Sequence, residues 1–167
     1  LGGNDAFIVL EDGDVDLAVE ELIWGRMYNT GQVCCASKRF LIQKNRVAEF
    51  TEKAIARISQ LKQGQPSDES TQIGCLISEK AAIEVEAQIN LTVEQGGRIV
   101  LGGTRDRAFI KPTVIADVPK TADVASDMEI FGPVVPIITF DTVEEAIEIA
   151  NSSKFGLCGC VFTENMR

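Results

Sequence analysis

There is no histidine among the 167 residues. That absence removes Ser-His-Asp and Cys-His nucleophilic catalysis from the chain, together with the HExxH zinc-hydrolase pattern. No two CxxC pairs occur among Cys34, Cys35, Cys75, Cys158 and Cys160, so no metal site is expected. An odd, scattered set of cysteines does not read as a secreted disulfide framework; it fits a reducing cytoplasm. A basic surplus is missing too. Lys plus Arg is 16 against 25 Asp plus Glu, a net charge of −9, which argues against a nucleic-acid partner. No apolar run approaches the ~20 residues that cross a bilayer, so no membrane segment is expected. The charged start and apolar core of a signal peptide are not visible either, and a cytoplasmic location follows as the expectation. No repeat, low-complexity tract or linker divides the chain, and residues 1–167 read as one domain. No Met precedes Leu1, so the sequence reads as an excerpt.

What is present is ordinary globular material, 45% apolar and 25% charged. The run over 6–10 (AFIVL) predicts a strand buried on both faces. A turn at 11–14 supplies an N-cap, and Val15, Ala18, Val19, Leu22, Ile23 and Met27 then keep helical spacing to Tyr28. Residues 38–42 predict the next strand. Val47, Phe50, Ala54, Ile58 and Leu61 form one face of a helix over 46–61. Ser78 caps a third helix with Ala82, Val85, Ile89 and Val93 on its face, closed at Gly96-Gly97. Strands are expected at 98–101, 109–115 (interrupted at Pro112), 134–140 and 159–162. Pro133 and Pro136 suggest that the 134–140 strand is an edge or is bent. A helix capped at Asp141 or Thr142 presents Val143, Ala146, Ile147 and Ala150. This alternation implies an α/β fold, layered, with a mostly parallel sheet flanked by helices.

Two stretches stand out from that background. Residues 29–35 (NTGQVCC) join a helix to a strand through Asn, Thr and Gly and end in two thiols. A cysteine on a sharp turn can present its sulfur to a cleft, with outward-pointing backbone N–H groups ready to stabilise an oxyanion beside it. Either Cys34 or Cys35 is then a candidate nucleophile. A buried, inert thiol is the alternative. Without histidine, activation falls to backbone dipoles, to Lys or Arg, or to groups supplied from elsewhere. Residues 129–134 (EIFGPV) place a carboxylate and an aromatic ring on an irregular segment beside a Gly-Pro turn. A carboxylate can accept from both hydroxyls of a ribose, and a ring two residues on can support a flat heterocycle. A solvated Glu and a core Phe would look the same in isolation.

LGGN, NTGQVCCA, EIFGPV and the closing ANSSKFGL…VFT, in this order, resemble the aldehyde dehydrogenase superfamily along essentially the whole chain. NTGQVCCASKRF resembles the succinate-semialdehyde dehydrogenase branch. The resemblance implies a truncated catalytic domain of an NAD- or NADP-dependent enzyme acting on a small-molecule aldehyde, with a homo-oligomeric parent. It assigns the nucleophile to Cys34 and makes Cys35 and Val33 its flanks in the aldehyde pocket. Glu129 matches the residue that holds the ribose next to the nicotinamide, and Phe131 the ring against the nicotinamide. The implied chemistry passes through a thiohemiacetal, hydride transfer and a thioester that water hydrolyses. In the family the general base is a Glu immediately before Leu1. That Glu, an oxyanion-holding Asn, the cofactor domain and the oligomerisation strand fall outside this sequence, so the excerpt itself is expected to be inactive. A CoA-acylating dehydrogenase and a non-catalytic or redox-sensing module are the rival readings.

Overall fold

The computed structural model describes residues 2–165. Among the described residues eight strands and four α-helices occur in chain order: β1 Asp5–Val9, α1 Val15–Leu22, β2 Ser37–Gln43, α2 Val47–Ser59, α3 Glu79–Glu94, β3 Arg98–Leu101, β4 Arg105–Asp106, β5 Phe109–Ile110, β6 Thr113–Val118, β7 Val134–Phe140, α4 Val143–Ala150 and β8 Gly159–Phe162. Six strands form one sheet in the order β3-β6-β7-β2-β1-β8. Only the β3–β6 pair is antiparallel; β4 and β5 make a separate small hairpin. The layered, mostly parallel α/β architecture is the one expected.

Each face of the sheet carries its own core. One contains Val15, Val19 and Leu22 of α1 and Phe50, Ala54 and Ile58 of α2, packed on Phe7, Phe40 and Ile42. Phe7 anchors this side, with ring centroids 4.9 Å from Phe40 and 4.7 Å from Phe162. The other contains Ala82, Val85 and Ile89 of α3 and Ala146 and Ile149 of α4, packed on Leu41, Ile115 and Ile138. Local signals set the helix starts. Asp14 accepts from the Leu17 N–H, Ser78 from Ala81 and Thr142 from Glu145, which satisfies orphan donors of each first turn. Among the described residues no helix is long and apolar enough to cross a membrane.

Three local expectations need correction. β7 is not an edge strand: it lies between β6 and β2. Pro136 is tolerated there because its pairing with Ile115 is the last before β6 bulges, and the ladder to β2 starts only at Ile137. The buried residues of α4 are Ala146 and Ile149, while Val143 and Ile147 are exposed, so spacing from the wrong starting residue rotated the predicted face. In α3, Thr92 rather than Val93 faces inward, its hydroxyl donating to the Gln88 carbonyl. The first helix also changes pitch. After Leu22 it continues as one π turn, Ile23–Met27, and ends at Tyr28, whose ψ of 135° is extended and leads into a left-handed turn at 29–31.

Candidate active site

The pitch change delivers the chain to a strained corner. Asn29, Thr30 and Gly31 have φ of 49°, 57° and 76°. A β-branched residue such as Thr30 rarely adopts that region, and strain of this kind persists only where surroundings enforce it. The enforcement is visible. Asn29 and Gln32 exchange side-chain-to-carbonyl hydrogen bonds at 3.2 and 3.1 Å. The Gly74 N–H donates to Thr30 Oγ1 at 3.2 Å, and the Ile77 N–H to Gln32 Oε1 at 2.7 Å. Gly31 sits so tightly on Gly132 that a Cβ would lie 2.2 Å from the Gly132 carbonyl oxygen. The two stretches singled out in the sequence, almost a hundred residues apart, are therefore back to back.

Cys34 and Cys35 follow on a turn before β2, both exposed, with Val33 half-buried before them. Among the described residues, neither the Cys34 nor the Cys35 amide donates a hydrogen bond to the protein. The peptide carbonyls on the inner side of the turn are held by Lys38. Its Nζ donates to the Val33 carbonyl at 3.1 Å and to the Cys34 carbonyl at 2.5 Å. Lys38 is the extra residue where Asp5 pairs with Ser37 but Ala6 with Arg39; the bulge re-aims its side chain.

The same ammonium lies 3.1 Å from Glu129 Oε1 and 5.1 Å from the centroid of the Phe131 ring. Glu129 Oε1 also accepts from the Gly3 N–H at 3.0 Å. Gly2 and Gly3 thread between the two motifs: a Cβ at Gly2 would meet Glu129 Oε2 at 2.9 Å, and one at Gly3 the Cys34 carbonyl at 2.9 Å. Arg26, wholly buried, fixes the segment after Glu129 by donating to the Ile130 carbonyl at 2.9 Å and the Val134 carbonyl at 2.6 Å. Burial pulls its guanidinium down to about 9, against the opposing influence of Glu129. Phe131 is 39% exposed and shares a cavity of about 560 Å³ with Asn29, Gln32, Cys75 and Ile77. On the other side of Asn29 a second cavity, about 430 Å³, is walled by Trp24, Met27, Tyr28 and Arg57.

Every sequence-predicted site residue thus falls in one neighbourhood, at the edge where β1, β2 and β7 begin. Ligands of open parallel sheets usually gather at the opposite, carboxyl edge. Lys38 and Arg26 were missed by the motif reading. Their signal was a Lys-Arg pair opening the otherwise apolar β2 run and an Arg inside the apolar stripe of a helix, both charges where burial was expected.

Glu129 and Phe131 together offer a free acceptor oxygen and an exposed ring face to a ligand that carries hydroxyl donors and a flat heterocycle. One carboxylate oxygen is already engaged by Gly3 and Lys38 while Oε2 keeps acceptor capacity, and the exposed ring borders a cavity large enough for a flat heterocycle.

Comparison with known proteins agrees with this geometry. A model of the aldehyde dehydrogenase family matches residues 1–167. The chain is 41% identical to a lactaldehyde dehydrogenase of Methanococcus aeolicus, covering 99% of this chain and 35% of that protein. It is also 41% identical to the succinate semialdehyde dehydrogenase [NAD(P)+] Sad of Escherichia coli, over 98% of this chain and 36% of that one. The crystal structure of a succinate-semialdehyde dehydrogenase from Burkholderia pseudomallei superposes with a TM-score of 0.96 at 36% identity, covering 99% of this chain and 35% of that one. The chain spans about 35% of the length of these relatives. With a family model matched from end to end and a sheet that superposes on a solved relative, the chain belongs to the aldehyde dehydrogenase family.

Proposed function

We propose that the whole protein oxidises a small aldehyde to a carboxylic acid with NAD(P)+, that residues 1–167 are the main part of its catalytic domain, and that Cys34 is the nucleophile. The observation that carries this is the exposed Cys34 on a turn tied through a single buried ammonium to Glu129 and Phe131.

The thiolate of Cys34 adds to the aldehyde carbon, and the carbonyl electron pair moves onto oxygen. The Cys34 N–H, which has no acceptor within the described protein, stabilises that oxyanion. Glu129 would accept from the ribose hydroxyls of the cofactor, and Phe131 would support the nicotinamide ring. NAD(P)+, when bound, supplies the hydride acceptor of the oxidation. The thioester left on Cys34 is then cleaved by water to acid and free thiol. The Gly2-Gly3 segment runs past the Cys34 carbonyl, which supports a base carried just ahead of that segment, as the family resemblance implies. Val33 and Cys35 flank the sulfur on the aldehyde side. Relatives named for lactaldehyde, succinate semialdehyde and benzaldehyde support a small aldehyde as the substrate class.

The test is covalent. 4-Nitrophenyl acetate releases nitrophenolate as it acylates a reactive thiol, and peptide mass spectrometry locates the acetyl group. Acylation is expected at Cys34 and is expected to vanish in Cys34→Ala; in the whole protein the same change abolishes acid formation. Undiminished acylation or turnover in Cys34→Ala would overturn the assignment.

A further inference from the structure

We propose that Lys38 is a positioning residue whose ammonium strengthens the oxyanion-binding amide at Cys34; this inference rests on Cys34 being the nucleophile. The Val33 carbonyl and the Cys34 N–H belong to one peptide unit. A cation donating to that carbonyl at 3.1 Å pulls electron density through the peptide and makes its N–H a stronger donor. The second contact, 2.5 Å to the Cys34 carbonyl, does the same for the Cys35 N–H. Together they fix both peptides with their carbonyls on Lys38, which leaves the two amides on the opposite side of the peptide planes, without an acceptor in the described protein.

The charge arrangement favours the same conclusion. Lys38 is 1% exposed, and burying an ammonium is costly unless its contacts are good. An apolar residue could fill the space without that cost. The contacts of Lys38 are one carboxylate oxygen of Glu129 at 3.1 Å and the two carbonyls of the turn, so part of its charge is directed to the peptides that carry the Cys34 and Cys35 amides. The bulge that re-aims Lys38 toward the turn is a local departure from the β1–β2 ladder with this contact as its outcome.

Two reactions of the same sulfur separate this role from simple support of the fold. Acylation by 4-nitrophenyl acetate passes through an oxyanion: the thiolate adds to the ester carbon, oxygen takes the electron pair, and collapse expels nitrophenolate. Alkylation by iodoacetamide displaces iodide directly and forms no oxyanion. In Lys38→Met the ratio of acylation to alkylation rates at Cys34 is expected to fall about tenfold, somewhat less than the loss of a whole oxyanion donor. Lys38→Gln, which keeps a neutral donor in place and carries the test if the Met variant does not fold, should lower the ratio a few-fold. Lys38→Arg should restore most of it. A ratio within about twofold of the native one in the Gln or Met variant, whether both rates fall together or neither moves, overturns the role of Lys38. If the native chain is instead acylated at another cysteine, it is the assignment of Cys34 that fails.

Discussion

Lys38 and Arg39 are neighbours on β2, both cationic and both almost wholly buried, yet they serve different ends. Arg39 donates only to backbone carbonyls: Asn4 at 2.6 Å, Ala125 at 3.0 Å, Ile149 at 2.6 Å and Ala150 at 2.8 Å. It staples the start of β1, the 3-10 turn at Asp123–Ala125 and the end of α4 to the centre of the sheet. Lys38 instead touches the Cys34 turn and the Glu129 carboxylate. A guanidinium with five fixed donors suits the first task, and a compact ammonium on a flexible stem suits the second. Burial alone does not say what a cation is for. Its acceptors do.

The comparison can be broken by stability. Arg39→Met strands four carbonyls and is expected to cost about 3–5 kcal/mol, whereas Lys38→Met should cost about 1–3 kcal/mol because fewer acceptors lose their donor. Thermal or urea melts of the two variants decide it, and equal losses would remove the distinction. Gly31→Ala sharpens the site side. A Cβ at φ 76° would strike the Gly132 backbone, so a loss of about 1–3 kcal/mol is expected, with slower Cys34 acylation measured on the still-folded protein. The smallest effect concerns the Arg39 side, where Cys160 borders the same 240 Å³ cavity as Asn4, Asp5 and Arg39. Burial pushes the Cys160 thiol from 9.0 up to about 11, with a Ser37 hydrogen bond opposing. The native state therefore holds this proton more tightly than the unfolded chain. The associated stability is complete below pH 9 and is lost as pH rises toward 11. Melting temperature should decline less across that window in Cys160→Ala than in the native chain. The depressed pKa of Arg39 has the opposite sign but is common to both proteins and cancels in the difference.

Much of this was legible in residue patterns. The apolar run at β1, the capped α3 and the helical spacing of α2 are local properties, and they appeared where expected. In the fold the two stretches singled out in the sequence also lie against one ammonium, that of Lys38. What escaped was set by tertiary context. Pro136 looked like an edge signal because nothing local announces a bulge in a partner strand. The aim of Lys38 escaped because its bulge exists only once β1 pairs with β2. The Gly3-to-Glu129 hydrogen bond joins residues 126 apart, and chain topology alone creates it. Thr30 carries a left-handed backbone that its β-branched side chain would have argued against.

The amino-edge location of Cys34, Glu129 and Phe131 has a consequence for altering this protein. β2 is seven residues long, so its far end, on the opposite rim, lies ~20 Å from its start. The connections leaving β1, β2 and β7 meet on that rim, where Gln43, Arg46 and Glu11 tie them to one another. Foreign loops or affinity handles spliced in there would remodel one end of the scaffold and leave the Cys34 turn and the Glu129 segment at the other end in place.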